Sequence, residues 1–503
     1  MARIELGLER IHTLLSHFPP YSRPTIHIAG TNGKGSVSAL LTSVFLEPQR
    51  NHKDETTSSD SESEIFNVGR FNSPHLVSVL DSVTINNVPI SSSIFEGTSS
   101  KINEANAAHG IQATPFELLA ATALVIFESQ KVDLVILEVG MGGRLDATNG
   151  IPSSSVVLSI ITSIDLDHQA FLGNTVQAIA REKAGIIREG GVAVLSPQQH
   201  GEGVMKAVGE VAEAKKAKLV IAMPAKEGGW EEGTRAASFS LNPVAQPPPR
   251  PVQIDEFRGE CPFKLQLPLH GNHQLSNLGT VLTAISTIQQ LDLARFPTLA
   301  AHASRLSPEA VRLGVLNCTW PGRLSFHTYL PRGSTSKSVA VIADGAHNAG
   351  ASELLSSYLH TLFSSLTISE NTPPRSISLT YILALSHSPP KTPDSVLLPL
   401  LTLDRSRFPT LDIRIGVAAL RFTPPQGMPW VASVPPSGIS GIVSREAPDA
   451  ELWSAPDNSV IEGSLKEALE WASQRGGEHT DKLILVAGSL YLVADFYRLV
   501  GSQ

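Results

Sequence analysis

The chain has 503 residues, with 39 Lys and Arg against 47 Asp and Glu, a formal net charge of −8, and 42% hydrophobic residues. This length exceeds what one hydrophobic core organises, so two domains are expected, and the acidic balance argues against nucleic acid as the main partner. No run of about 18 apolar residues is present to span a bilayer. The only two cysteines, Cys261 and Cys318, read as small buried hydrophobes of a reducing compartment.

The opening MARIELGLERIHTLL combines acidic residues with helical apolar spacing, which suits neither a secretory signal nor a transit peptide. A cytoplasmic protein is expected, with an internal mitochondrial signal left open. Short β-branched runs then alternate with helical patterns: TIHIA at 25–29, VDLVILEV at 132–139, SVVLSII at 155–161, VAVLS at 192–196 and KLVIA at 218–222. That alternation predicts βαβ units, an α/β fold with a mostly parallel sheet. Between 306 and 323, Pro308 and Pro321 disfavour continuous helix, so a boundary is expected there, separating domains 1–310 and 311–503. Beyond it, VAVIAD at 339–344, LTYILAL at 379–385, LDIRIGV at 411–417 and KLILVAG at 482–488 predict a second α/β domain. Three stretches interrupt the pattern, 51–64, 225–258 and 422–460, and their composition predicts mobile surface loops.

Directly after TIHIA comes GTNGKGS, namely Gly30, Thr31, Asn32, Gly33, Lys34, Gly35 and Ser36, followed by the helical pattern VSALLTSVFL. In a strand, glycine loop and helix, backbone N–H groups and the helix N-terminus meet phosphate oxygens. Lys34 adds a full positive charge, and Ser36 offers a hydroxyl near magnesium. The spacing departs from the strict P-loop, with two residues rather than four between Gly30 and Gly33 and with Gly35 between the lysine and the hydroxyl. A glycine turn with a chance lysine is the alternative, which the flanking strand and helix weigh against. Glu138 closes an apolar strand, where a carboxylate is costly unless it faces a cleft or a cation. No GxSxG elbow occurs and neither cysteine has a glycine-rich setting, which argues against covalent acyl-enzyme chemistry.

The loop HIAGTNGKGS resembles that of the dihydrofolate synthase and folylpolyglutamate synthase family, the folate branch of the Mur-ligase-like group. So do FNSPHL at 71–76, LEVGMGGRLDATN at 137–149, DLDHQAFLGNT at 165–175, AREKAGII at 180–187, HGNHQLSN at 270–277, WPGR at 320–323, DGAHN at 344–348 and AGSLYLV at 487–493. The resemblance runs from 25 to 495, outside the three interruptions. It implies an N-terminal Mur-ligase-like P-loop ATPase domain and a C-terminal Rossmann-like α/β domain. It also implies a monomer acting on ATP, L-glutamate and a pterin-bearing acid, with no nucleic acid or membrane partner.

The resemblance further implies the site. Ser73, Glu138 and His168 are magnesium ligands or near neighbours, joined by Ser36 and by Lys183, whose family equivalent carries a carbamate that helps bind a second magnesium ion. On residue type alone, His168 reads as a satisfied core histidine and Lys183 as a solvated helix charge. Asn277, Arg323 and Asp344 are assigned to the nucleotide, His347 to orienting glutamate or the acyl phosphate, and Thr114, Phe116 and Asp146 to the pterin ring. Phe116 as plain core is the alternative. LDSVTIN at 80–86 lacks an arginine often seen in polyglutamate synthases, and GMPWV at 427–431 resembles fungal members that use dihydropteroate. Folate polyglutamylation, an inactive nucleotide-binding regulator and a peptidoglycan ligase are the other readings. The last normally brings a further N-terminal domain, for which residues before the loop leave no room.

Overall fold

The computed structural model describes residues 6–54, 65–229, 239–331, 338–366, 375–386, 392–425, 431–459, 461–477 and 479–501. Two compact units result: Met1–Gly229 with Arg250–Pro268 and His273–Thr319, and Trp230–Pro249 with Leu269–Asn272 and Trp320–Gln503. The main division therefore falls after Thr319, past the 310 expected from sequence. Pro308 does not break the chain there. It occupies the first turn of a helix, where its missing N–H costs nothing, and Ser307 caps that helix.

The first unit contains strands β1 (Thr25–Ala29), β2 (Val68–Phe71), β3 (Val83–Ile85), β4 (Val88–Pro89), β5 (Leu134–Glu138), β6 (Val156–Ile161), β7 (Val192–Leu195) and β8 (Lys218–Ile221). They form one sheet in the order β4-β3-β2-β5-β1-β6-β7-β8, parallel from β2 to β8. Every residue of β1 and β5 is buried, as expected for central parallel strands covered on both faces. The helices are α1 (Glu9–Leu15), α2 (Lys34–Asp54), α3 (Ser92–Ala108), α4 (Pro115–Ser129), α5 (Gln169–Leu172), α6 (Val176–Ala184), α7 (Gly201–Ala214), α8 (His273–Gln290), α9 (Pro297–Ser304) and α10 (Pro308–Leu316). One apolar core joins Ile161 and Leu195 to Ile179 and Val208, and another joins Phe71, Phe127 and Leu137.

Where described, the second and third interruptions are more ordered than their composition suggested, while most of the first lies outside the described residues. Residues 51–54 continue α2, while 55–64 lie outside the described residues. In the second interruption lie β9 (Lys226–Glu227), β10 (Ser240–Leu241), β11 (Val244–Ala245) and β12 (Arg250–Ile254), with β13 (Phe263–Leu267) following. The alternation hidden among its prolines pairs β12 with β13, whose FKLQL is buried at every second residue. Cys261, in the turn between them, is exposed rather than buried; Cys318 is buried as expected.

The second unit has β14 (Ser325–Tyr329), β15 (Val339–Ala343), β16 (Arg375–Leu383), β17 (Leu411–Ala419), β18 (Glu451–Ser454) and β19 (Asp481–Ala487). Their order is β14-β15-β19-β16-β17-β18, parallel except for the edge strand β14. Its helices are α11 (Ala349–Leu366), α12 (Pro393–Leu401), α13 (Pro436–Glu446), α14 (Ile461–Gln474) and α15 (Leu490–Gly501). The third interruption thus supplies α13 and β18, because Glu451–Ser454 extends the parallel ladder from β17. Of GMPWV, the residues 427–430 lie outside the described ones. Phe239 and Leu241, far upstream, belong to this unit's core with Ile342, Leu379 and Leu485.

Candidate active site

In the first unit, β1 delivers the chain into the glycine loop and α2 starts at Lys34. The loop is tied to the end of β6: the N–H groups of Thr31 and Asn32 both donate to the Ser163 carbonyl, at 2.9 and 3.1 Å. Gly33 has φ of +92°, and a Cβ there would come within 2.4 Å of Asn277 Oδ1, so both backbone and space demand glycine. Asn277, on α8, donates through Nδ2 to Gln274 Oε1 at 2.8 Å, and Gln274 Nε2 donates to the Ser36 hydroxyl at 3.1 Å. Asn277 and Ser36, distant in sequence, are therefore joined through a glutamine.

Two lysines converge on the same loop. Lys34 Nζ donates to the carbonyls of Gly30 and Thr31, at 3.1 and 3.3 Å, and lies 3.8 Å from Glu138 Oε1. Lys183, on α6 and only 3% exposed, donates to the Gly30 carbonyl at 2.7 Å. Burial pushes its ammonium down to about 7, with the Lys34 charge adding to the effect and Asp167 and Asp146 opposing it. Helical spacing hid this: Arg144 N–H bonds the Glu182 carbonyl, and Gly143 leaves no room for a side chain beside the Lys183 carbonyl, so the tail of α6 is drawn inside.

Glu138, 5% exposed at the end of β5, accepts a hydrogen bond from Asn72 Nδ2, which also donates to the Ser38 hydroxyl at 3.2 Å. Asn72 is buried beside the partly exposed Ser73, and its link to Glu138, 66 residues on, leaves no mark in the local sequence. His168 is not a core histidine; its side chain is 47% exposed, 3.7 Å from Asp167. Its φ of +52° is a conformation that non-glycine residues adopt where the surroundings impose it. Asp167 itself, 7% exposed and felt by Lys183, is a buried carboxylate the sequence reading passed over.

Among the described residues, no three His, Cys, Asp or Glu gather as a metal cage. Magnesium bound with a nucleotide does not require one, since it takes one or two carboxylates and completes its shell with phosphate oxygens and water. A buried carboxylate and a serine hydroxyl around a side-chain-free glycine cradle fit that chemistry.

Of the residues assigned to the pterin, Phe116 and Asp146 meet the turn after β5, and Thr114 opens the helix that carries Phe116. Phe116 is partly buried with its ring against Gly140, where a Cβ would come within 2.3 Å of it. It also borders the Phe71 cluster, so its core role and an exposed edge coexist. Thr114 caps α4, its hydroxyl accepting from Glu117 N–H at 3.3 Å while the Glu117 carboxylate accepts from Thr114 N–H and pairs with Arg10. Asp146 is 3% exposed and accepts from Met141 N–H at 2.8 Å, Thr148 N–H at 3.0 Å and the Thr148 hydroxyl at 2.6 Å. Burial raises its carboxyl above the usual range, and these bonds hold the rise back.

In the second unit, Asp344 follows β15 and is spent on the backbone, accepting from Leu324 N–H and Ala346 N–H at 2.8 Å each. Burial pushes its carboxyl upward, opposed by nearby Arg323. Arg323 Nη1 donates to the Gly322 carbonyl at 2.9 Å, and the same carbonyl accepts from Gly345 N–H. The WPGR turn and the DGAHN turn are thus one assembly. His347 is exposed, and because a carbonyl only accepts, its Nδ1 carries the proton given to the Gly345 carbonyl at 2.9 Å.

Residues 327–499 match the family model for the dihydrofolate synthetase C-terminal domain. The whole chain is 31% identical over 503 residues to the dihydrofolate synthetase of Saccharomyces cerevisiae, covering 99% of each. The probable dihydrofolate synthetase of Schizosaccharomyces pombe is 31% identical over 499 residues, covering 98% of each. A dihydrofolate synthase/folylpolyglutamate synthase of Bacillus subtilis is 29% identical over 373 residues, 73% of this chain and 75% of that one. Among solved structures, Escherichia coli FolC in complex with DHPP and ADP has the same fold, with a TM-score of 0.68 at 22% identity over 100% of this chain and 95% of that one.

Proposed function

The chain belongs to the dihydrofolate synthase/folylpolyglutamate synthase family, and from that premise we propose that it joins L-glutamate to 7,8-dihydropteroate while converting ATP to ADP and phosphate, forming dihydrofolate. The observation that carries this is the meeting of Lys34, Lys183 and Glu138 at one glycine loop, in a chain alike along its full length to fungal dihydrofolate synthetases. No helix among the described residues is long and apolar enough to cross a membrane, and we place the reaction in the cytoplasm.

A carboxylate is a poor acyl donor, since oxide would have to leave. One of its oxygens attacks the γ-phosphorus of ATP, the bond to ADP breaks, and an acyl phosphate results. The glutamate amine then attacks the acyl carbon, phosphate departs with the bonding electrons, and the amine loses its proton to give the amide. Such phosphoryl transfer depends mainly on positioning and charge neutralisation. The loop amides from Gly30 to Ser36 and the Lys34 ammonium hold the phosphates, and Asn277 flanks them. Ser36 and Glu138 would hold magnesium, with Ser73 and His168 as further neighbours, and the ion when bound supplies charge neutralisation at the phosphates. Lys183 takes up carbon dioxide through a new N–C bond, releasing a proton and becoming a carbamate. Its full burial against the loop supports that role.

In the second unit, Arg323 serves a phosphate with its planar guanidinium, Asp344 holds the turn that presents it, and His347 orients glutamate or the acyl phosphate. Thr114, Phe116 and Asp146 receive the pterin. The DHPP and ADP of the Escherichia coli structure support this pairing of ligands.

The test supplies purified protein with ATP, magnesium and radiolabelled L-glutamate, with dihydropteroate or tetrahydrofolate as acceptor, and weighs the products by mass. Labelling of dihydropteroate alone is expected. Labelling of tetrahydrofolate alone would make the enzyme a polyglutamate synthase. The bacterial relatives that carry both names make a doubly active enzyme the specific alternative.

A further inference from the structure

A histidine stands in the middle of β1, a strand of the first unit buried at every residue. His27 on β1 is 0% exposed, opposite Leu137 of β5 and Ser159 of β6, and none of the chemistry above uses it. Its Nε2 lies 2.9 Å from the Thr148 hydroxyl, which lies 2.6 Å from Asp146 Oδ1. Its Nδ1 is buried and has no hydrogen-bond partner among the described residues. Burial, reinforced by the Arg188 charge, holds the imidazole well below its usual range, so the ring is neutral.

The direction of this chain of hydrogen bonds follows from what each group can do. An ionised carboxylate only accepts, so the Thr148 hydroxyl proton points at Asp146. The hydroxyl oxygen must then accept, so the His27 proton sits on Nε2 and leaves Nδ1 bare. Were Asp146 protonated and donating, every bond would reverse and the orphaned Nδ1 would carry a proton instead. A bare buried ring nitrogen is the less costly of the two orphans, and the chain therefore favours the ionised carboxylate. Leucine or valine would fill this strand position with no orphan at all, so what the histidine adds here is the proton it donates to Thr148.

Oδ1 accepts twice from Thr148 and Oδ2 accepts from Met141 N–H, with the backbone of Gly140 also bonding the carboxylate, so Thr148 on one side and the turn at 140–141 on the other fix its orientation. We propose that His27 is a positioning residue for the pterin-bearing acceptor: through Thr148 it locks Oδ1 of Asp146 and keeps the carboxylate an acceptor for the N–H groups of the aminopyrimidine edge. This rests on the reading that Asp146 contacts the pterin.

The experiment uses the full chain and three variants, His27→Leu, His27→Gln and Asp146→Asn, in steady-state assays with dihydropteroate, ATP and glutamate varied in turn. His27→Leu is expected to raise the KM for dihydropteroate on the order of tenfold, the usual loss when an outer partner of a binding group is removed. Its KM for ATP should stay within about twofold. His27→Gln, whose amide offers an N–H in place of Nε2–H, should recover most of the loss. In histidine-labelled protein, nitrogen NMR should assign His27 as the Nε2–H tautomer. An unchanged dihydropteroate KM in His27→Leu would overturn the proposal, as would a matching rise for ATP, or equal losses in the leucine and glutamine variants. Should His27→Leu fail to fold, the glutamine variant and the spectrum decide, and an Nδ1–H tautomer overturns it. If Asp146→Asn leaves the dihydropteroate KM unmoved, the underlying pterin reading falls. If Asp146→Asn raises it and His27→Leu does not, only the role of His27 falls.

Discussion

The two units each place a buried carboxylate at the carboxyl end of a parallel strand, and use it in opposite ways. Glu138, at the end of β5, has one oxygen held by Asn72 and the other 3.8 Å from Lys34, so its charge is answered by a lysine of the glycine loop. Asp344, after β15, accepts two backbone N–H groups and binds two turns together. The same position in the same kind of sheet meets a charged side chain in one unit and backbone N–H groups in the other. A carboxylate at a strand end therefore marks a site only when its partners are themselves charged or mobile.

That contrast breaks first at Lys34. Lys34→Met should lower kcat roughly 10³-fold, the upper range for losing one preorganised charge-stabilising donor, with folding intact. Rapid-quench measurement of phosphate formation would show it, and a loss below about tenfold would mean the ammonium only braces the Gly30 and Thr31 carbonyls. Asp344→Asn should behave differently, destabilising the fold by about 2–3 kcal/mol as a charged acceptor of two backbone bonds is weakened. Urea unfolding measures this, and a stable variant with a raised KM for ATP would instead make Asp344 a nucleotide contact.

The smallest expected effect sharpens the picture of Lys183. In the folded chain kept free of carbon dioxide, the unmodified ammonium titrates at about 7, against 10.5 for the ordinary side chain, so between these values the unfolded chain binds more protons. Stability from this group must then rise with pH, at no more than about 1.4 kcal/mol per pH unit, and the burial penalty is fully present below 7. Lys183→Met should be more stable than the parent at pH 7 and should lose that slope when denaturant midpoints are compared at pH 7, 8 and 9. Parallel curves would show that the lysine is not held uncharged.

The glycine loop and the two α/β units were legible because their signals are local: β-branched runs, glycines that a phosphate cradle requires, a lysine just before a helix. Lys183 was legible only by family resemblance, since a lysine on a helix carries no mark of being drawn inward by Gly143 and Arg144. Asn72, Gln274 and His27 were missed for the same reason, since the partners Glu138, Ser36 and Thr148 lie tens of residues or more away in the chain. Pro308 misled in the other direction, because a proline that begins a helix and one that ends it look alike without the cap. The strands within 225–258 were masked by composition, their alternation being only a few residues long.

Five crossings of the chain between units follow from the division seen above, as 230–249 and 269–272 leave the first unit and return. A fragment starting at Trp320 would therefore be born without Phe239 and Leu241, and would expose the apolar surface they cover. The family model that spans 327–499 traces a contiguous piece of sequence, yet the folding unit is discontinuous. Separate expression of the halves should yield aggregation rather than two working modules, and evolution could not have shuffled this second unit onto another protein in a single genetic join.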